Sequence, residues 1–332
     1  ACFTDIHFGM KGNSRIHNDD CESFIYWFID QAKAQGCETC IFLGDWHHHR
    51  SSTNVSTMNY TVSNMERLGQ AFEKVYVIMG NHDLFYRDKR EINSMEFIRN
   101  IPNIHIVNEW IETEDVAIIP WIVQDEWKRI PQMQQKYIFG HFELPYFKMN
   151  AMVEMPDVGG IKAEHFVNQQ YVFTGHFHKR QVRNNVVYMG NAFPHNYADA
   201  GDDERGMILE HGGTPKYYNW PDMPRYRNYK ISQLLANPEG LLKEKMYVRV
   251  TLDIKISYEE ANFIRETFID KYKLRELQLI PEQVDQAQET TATIEKFDSV
   301  DQIVVKQLES VDSQTYDKKI LMAIYNNLDV NN

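Results

Sequence analysis

The sequence predicts a layered α/β fold, with sheets inside and helices outside. Two observations carry that expectation. The first half of the chain alternates strand-like and helix-like runs, while the second half is mainly strand-like. Five of the strand-like runs are followed at once by a short motif rich in Asp, His and Asn. With 332 residues the chain is long enough for two domains with a sizeable core.

The elements follow in order. Residues 1–4 read as a strand. Residues 21–32 read as an amphipathic helix, because Cys21, Phe24, Ile25, Phe28, Ile29 and Ala32 recur at helical spacing. Asp19 or Asp20 can cap it, and Gly36 ends it. Residues 39–43 form a buried strand. Met58, Val62, Met65, Leu68 and Phe72 mark a second helix, and residues 75–79 a second buried strand. Further strand-like runs are 104–107, 116–119, 137–139, 171–174 and 186–189. Pro215, Pro221 and Pro224 then stand among Tyr, Trp, Arg and Asn, so 215–230 reads as a linker or strap. A small α+β unit follows, with strand 246–254, helix 258–272 and strand 276–280. Residues 282–298 are rich in Gln, Glu and Thr and read as loosely ordered. Residues 297–328 regain apolar residues in two short helical stretches, which bury little by themselves and suit docking on a partner.

Composition sets limits. Hydrophobic residues make up 43% and charged residues 25%, ordinary for a soluble globular chain. No apolar run reaches 18 residues, so no membrane span is expected. The chain opens on a strand-like run without a signal-peptide pattern, and it lacks an initiator Met, which leaves open whether residues precede Ala1. Four cysteines, Cys2, Cys21, Cys37 and Cys40, fit a reducing cytoplasm, the expected location. Cys37-Glu-Thr-Cys40 has zinc-ribbon spacing but no second pair, and reads as thiols flanking a buried strand. A net charge of −12 by itself argues against a nucleic-acid binder. Carboxylates that bind cations count toward that sum, which weakens the argument.

The motifs carry the chemistry. They are Asp5-Ile6-His7, Gly44-Asp45, Gly80-Asn81-His82-Asp83, Gly140-His141 and Gly175-His176-Phe177-His178. Ligands of open α/β sheets bind beyond the carboxyl ends of the strands, so these loops can converge on one rim. Carboxylate, amide and imidazole together suit borderline divalent cations such as Mn, Fe or Zn. One Asp can bridge two ions, and ion pairs clamp the attacking and leaving oxygens of a displacement at phosphorus. His82 is suited to donate a proton or hydrogen bond to phosphate, and Asp83 to hold that imidazole or its loop. Lys11, Arg15, Arg50, Arg87, Lys89, Arg90, Lys179 and Arg180 lie within or just after motif loops, where they suit contacts to a nucleic-acid backbone.

The motif set resembles the signature of calcineurin-like metallophosphoesterases. Thr4-Asp5-Ile6-His7-Phe8-Gly9 is similar to the opening of SbcD-type (Mre-eleven-like) DNA double-strand-break repair nucleases. Tyr188-Met189-Gly190-Asn191, with Ala200-Gly201-Asp202 and Arg205-Gly206, is most similar to T4-type phage recombination endonuclease subunits. The resemblance implies a two-sheet metallophosphoesterase core over residues 1–220, a DNA-capping domain over 221–285, and a linker with an ATPase-binding helical segment over 286–332. It implies two divalent ions, Mn²⁺ or Mg²⁺. Asp5, His7, Asp45 and His178 would hold one ion. Asp45, Asn81, His141 and His176 would hold the other. His82 would be the catalytic histidine that binds no metal, and His48 would contribute to exonuclease action. The implied partners are DNA, an SMC-like ATPase bound through Ile303, Val304, Leu308, Ile320, Leu321, Ile324 and Leu328, and a second copy of the chain through helices near 58–72 and 92–100. Trp46-His47-His48-His49 departs from the family, which has a smaller apolar pair after Gly-Asp; His47 and His49 read as solvent-exposed loop histidines. The expected activity is a metal-dependent DNA exonuclease and endonuclease of a recombination or break-repair complex. The alternatives are a small-molecule phosphodiesterase and a DNA-end scaffold for the ATPase.

Overall fold

The computed structural model describes residues 1–149, 153–211 and 214–281. The expected partner-binding residues between 297 and 328 lie outside the described residues.

The chain builds three sheets. The first takes β1 (Cys2–Phe3), β2 (Thr39–Phe42), β3 (Lys74–Ile78) and β4 (Ile104–Val107), each parallel to the next. The second takes β5 (Ile111–Glu112), β6 (Val116–Ile119), β7 (Tyr137–His141), β8 (Tyr171–Gly175), β9 (Gln181–Arg183) and β10 (Val186–Tyr188), in the order β5-β6-β7-β8-β10-β9. β11 (Gly206–His211) then pairs antiparallel with β1, and β12 (Thr214–Asn219) completes that edge of the first sheet. β13 (Arg225–Lys230), β14 (Met246–Leu252) and β15 (Glu276–Pro281) form a parallel third sheet.

Successive strand residues point to opposite faces, and here both faces of the first two sheets are covered. Cys2, Ile41, Ile78 and Ile208 of the first sheet cluster with Ile118, Phe139, Phe173 and Val187 of the second. Phe3, Phe42, Val75 and Val77 face the other way, onto helices α1 (Arg15–Ala34) and α2 (Val55–Ala71). The layered α/β architecture expected from the sequence is therefore present. The third sheet has its own core around Val248, Val250, Leu234 and Leu277, under helix α3 (Tyr258–Tyr272), whose start is a Ser257–Glu260 capping box.

Four local expectations are corrected. Helix α1 begins at Arg15 under a Ser14 cap, so Asp19 and Asp20 lie inside it. Its first two turns bury His17, Asn18 and Asp20, which is why apolar periodicity starts only at Cys21. The second is the extent of α2, which is present as expected but ends at Ala71, so that Phe72 follows it as the C-cap. Residues 92–100, expected to be helical, carry a single 3-10 turn at Glu96–Ile98. The supposed strap over 215–230 is largely strand: it holds most of β12 and all of β13, separated by a turn with Pro221 and Pro224. No helix among the described residues is long and apolar enough to cross a membrane.

Candidate metal centre

The motif residues stand at the carboxyl ends of β1, β2, β3, β7 and β8. The chain turns sharply there. Asp5, His7, Asp45 and His176 have φ of 50°, 52°, 62° and 92°. Non-glycine residues visit that region at a cost, and such strain gathers at functional sites. The glycines permit close approach of the loops. A Cβ on Gly80 would lie 2.3 Å from Asp45 Oδ1, and one on Gly175 would lie 2.2 Å from Thr4 Oγ1.

Two donor clusters result. Asp5, His7 and His178 bring their ligand atoms within 4.8 Å of one another, and so do Asp45, His141 and His176. Asn81 Oδ1 joins the second cluster, 3.1 Å from His141 Nε2 and 2.9 Å from His176 Nδ1. One oxygen, Asp45 Oδ2, lies 3.8 Å from His7 Nε2 and 3.5 Å from His141 Nε2, so it faces both clusters. Asp5 Oδ1 and His7 Nε2 are buried with no hydrogen-bond partner among the described residues, although they lie 3.8 Å apart. Buried polar atoms are rarely left unpaired, and this donor set is the one divalent cations take.

The surrounding hydrogen bonds fix the ligand atoms. His141 Nδ1 donates to the Leu43 carbonyl at 2.7 Å, which leaves Nε2 to act as a ligand. Burial pushes the His7 imidazole well below its usual range and keeps it neutral, as a ligand must be. Burial pulls His141 down too, but the Asp45 carboxylate outweighs it and lifts His141 to about 9. A proton is thus stabilised where a cation would neutralise Asp45. His176 Nε2 is 3.3 Å from Glu143 Oε1, which also accepts from Arg87 at 2.8 Å.

Asp83 offers no ligand atom to either cluster. Its carboxylate accepts from the backbone N–H groups of Asp45, Trp46, His47 and Gly80, at 2.8 to 3.1 Å, and so ties two motif loops together. Burial and the Asp45 charge push its carboxyl upward. His82 donates through Nδ1 to the His48 carbonyl at 2.7 Å, and its N–H donates to Asp45 Oδ1 at 2.8 Å. The rings of His82 and His48 stack at 5.6 Å, and both ligand sets approach that of His7.

His47 is not the exposed loop residue expected. It is buried, with Nδ1 against Ser94 Oγ and Nε2 against Thr61 Oγ1, both at 2.8 Å. Trp46 beside it fills the core against Phe8 and Phe42. His49 is exposed. The basic candidates divide. Arg15, Arg87 and Lys89 are exposed and Arg50 is half-buried. Half-buried Lys179 lies 3.8 Å from Asp202, and Arg180 donates to Asn219 Oδ1 at 2.6 Å. Lys11 hydrogen-bonds Tyr226 and sits 4.0 Å over the Tyr247 ring. Arg90 is corrected: it is buried, paired to Glu126 at 2.6 Å and bonded to the carbonyls of Asn108 and Trp121, with no face free for phosphate.

Four residues beyond the motifs complete the site. Glu143 is one. His17 Nε2 donates to the His7 carbonyl and His195 Nε2 to the Asp5 carbonyl, each at 2.9 Å. Tyr226 of β13 donates to the His195 carbonyl at 2.8 Å, linking the third sheet to the first cluster. A lone Glu, His or Tyr outside a motif carries no sequence signal for such contacts.

The sequence profile of calcineurin-like phosphoesterases matches residues 1–180. The chain is similar to Exonuclease subunit 1 of Enterobacteria phage T4, 25% identical over an alignment of 216 residues that covers 62% of each protein. Among solved structures it is similar to nuclease MPE of Pseudomonas putida, at 20% identity and a TM-score of 0.28, over 56% of this chain and 65% of that one. Each relative is thus matched over less than two thirds of its own length.

Proposed function

The chain belongs to the calcineurin-like phosphoesterase family, and from that premise we propose that it is a two-cation DNA nuclease, the nuclease subunit of a recombination or break-repair complex. The observation that carries this reading is Asp45 Oδ2 facing both donor clusters at once. Asp5, His7, Asp45 and His178 would hold one ion, and Asp45, Asn81, His141 and His176 would hold the other. The mixed carboxylate and imidazole set suits a borderline divalent cation such as Mn, Fe or Zn; the family resemblance favours Mn²⁺, with Mg²⁺ the alternative. Ions bound there supply Lewis acidity and a water acidic enough to ionise near neutral pH.

The chain's own residues supply the rest. Water oxygen bonds to phosphorus and gives up a proton to solvent, the P–O bond to one nucleoside breaks, and the departing oxygen takes up a proton from His82. His82, held through Nδ1, presents Nε2 to the phosphate or the departing oxygen, and as the doubly protonated imidazolium it donates from Nε2. His48 stacks behind it and supplies the carbonyl that orients it. Asp83 holds the two loops in register. Exposed Arg15, Arg87 and Lys89 suit phosphate contacts, which would make binding salt-sensitive. The similarity to a T4 protein named as an exonuclease subunit supports a nucleic-acid substrate, which the motif resemblance makes DNA. Its description as a subunit is consistent with a partner chain; the family resemblance makes that partner an SMC-like ATPase bound through the C-terminal segment, and adds a second copy of the chain bound through the α2 region.

The test is an assay of the full chain on labelled linear duplex, single-stranded and hairpin DNA, with Mn²⁺, with Mg²⁺ and with chelator. Metal-dependent degradation that His82→Ala abolishes supports the reading. Intact DNA alongside turnover of bis(p-nitrophenyl) phosphate would shift it to a small-molecule phosphodiesterase.

A further inference from the structure

A cavity of about 190 Å³ adjoins the second donor cluster. Its walls include Trp121, Trp127, His141, Glu143, Gly159 and Gly160. His141 and Glu143 belong to the metal centre as well, Glu143 through its 3.3 Å contact with His176. The cavity therefore begins where a phosphodiester would lie.

Its aromatic walls are fixed. Trp121 donates through Nε1 to the Arg87 carbonyl at 3.0 Å and packs 5.3 Å from the His176 ring. Trp127 is backed by His165, stacked at 5.0 Å and 15°. The glycine side is open. A Cβ on Gly159 or Gly160 would meet nothing within 4 Å. The space is smaller than a drug-sized site. It offers flat apolar surfaces and one carboxylate acceptor. A nucleobase matches that chemistry, with two π faces for stacking and edge N–H groups for the carboxylate.

We propose that this cavity seats the nucleobase next to the scissile phosphodiester, with Trp127 as the stacking surface and Glu143 accepting from the base edge. The inference rests on the nuclease reading above. It explains a tryptophan-lined recess that the hydrolytic residues do not use. Stacking is tolerant of base identity, so the seat would register a base without reading sequence.

The test uses the full chain with Mn²⁺ and a set of labelled oligonucleotides, each with one base replaced by an abasic tetrahydrofuran at a different position. The wild type is expected to cut at least about tenfold more slowly when the base beside the scissile bond is missing. Trp127→Ala is expected to cut both substrates at nearly equal rates, while Trp127→Phe keeps the difference. Thermal melts of both variants check folding. Equal wild-type rates on abasic and intact strands overturn the inference while leaving the nuclease reading standing. So does a Trp127→Ala variant that keeps the full difference. Absence of cleavage on every strand removes the nuclease reading and this inference together.

Discussion

The two donor clusters share one rim and one aspartate, yet they are gripped from different sides. The second is held by buried side chains at the ends of the two sheets. His141 is fully buried, its Nδ1 bonded to the end of β2, and Gly44 and Gly175 leave no room for a Cβ beside it. The first is held by its main chain. His17 grips the carbonyl of His7, His195 grips that of Asp5, and Tyr226 of the third sheet grips His195. Its His178 side chain is 26% exposed. The difference teaches that one half of the centre is built by the core alone, while the other depends on how the third sheet docks.

Variants can break this contrast or sharpen it. Asp45→Ala removes the group common to both halves. It is expected to abolish turnover and reduce Mn²⁺ uptake in both, read by equilibrium dialysis. His82→Ala should spare both halves, lowering kcat about 10²–10⁴-fold while Mn²⁺ stoichiometry holds. Asp83→Ala leaves four buried N–H groups unpaired and should cost at least about 3 kcal/mol in urea unfolding. Tyr226→Phe should act on the first half only, weakening one of two Mn²⁺ affinities about tenfold and leaving the other intact. If it weakens both equally, the contrast fails.

The sequence made the centre legible because its chemistry needs rare residue types at fixed spacing after glycine. It also showed the parallel strands, whose doubly covered faces read as apolar runs. Other parts were hidden for physical reasons. β13 alternates Arg, Tyr and Asn, so only Tyr226 faces inward strongly and no apolar run appears. The start of α1 buries polar side chains that serve the site, so it lacks a stripe. His47 reads as a loop histidine until Thr61 and Ser94 are seen to satisfy both its nitrogens. Glu143 and His195 act through contacts across 33 and 190 positions of chain, which no local pattern records.

The proposal that the two clusters form a single two-ion centre bridged by Asp45 is tested most directly by titrating the metal-free full chain with Mn²⁺ under electron paramagnetic resonance. The account predicts two ions per chain with an exchange-coupled spectrum, and loss of the coupling in Asp45→Ala. One ion per chain, or two that give only uncoupled signals in the wild type, would contradict it.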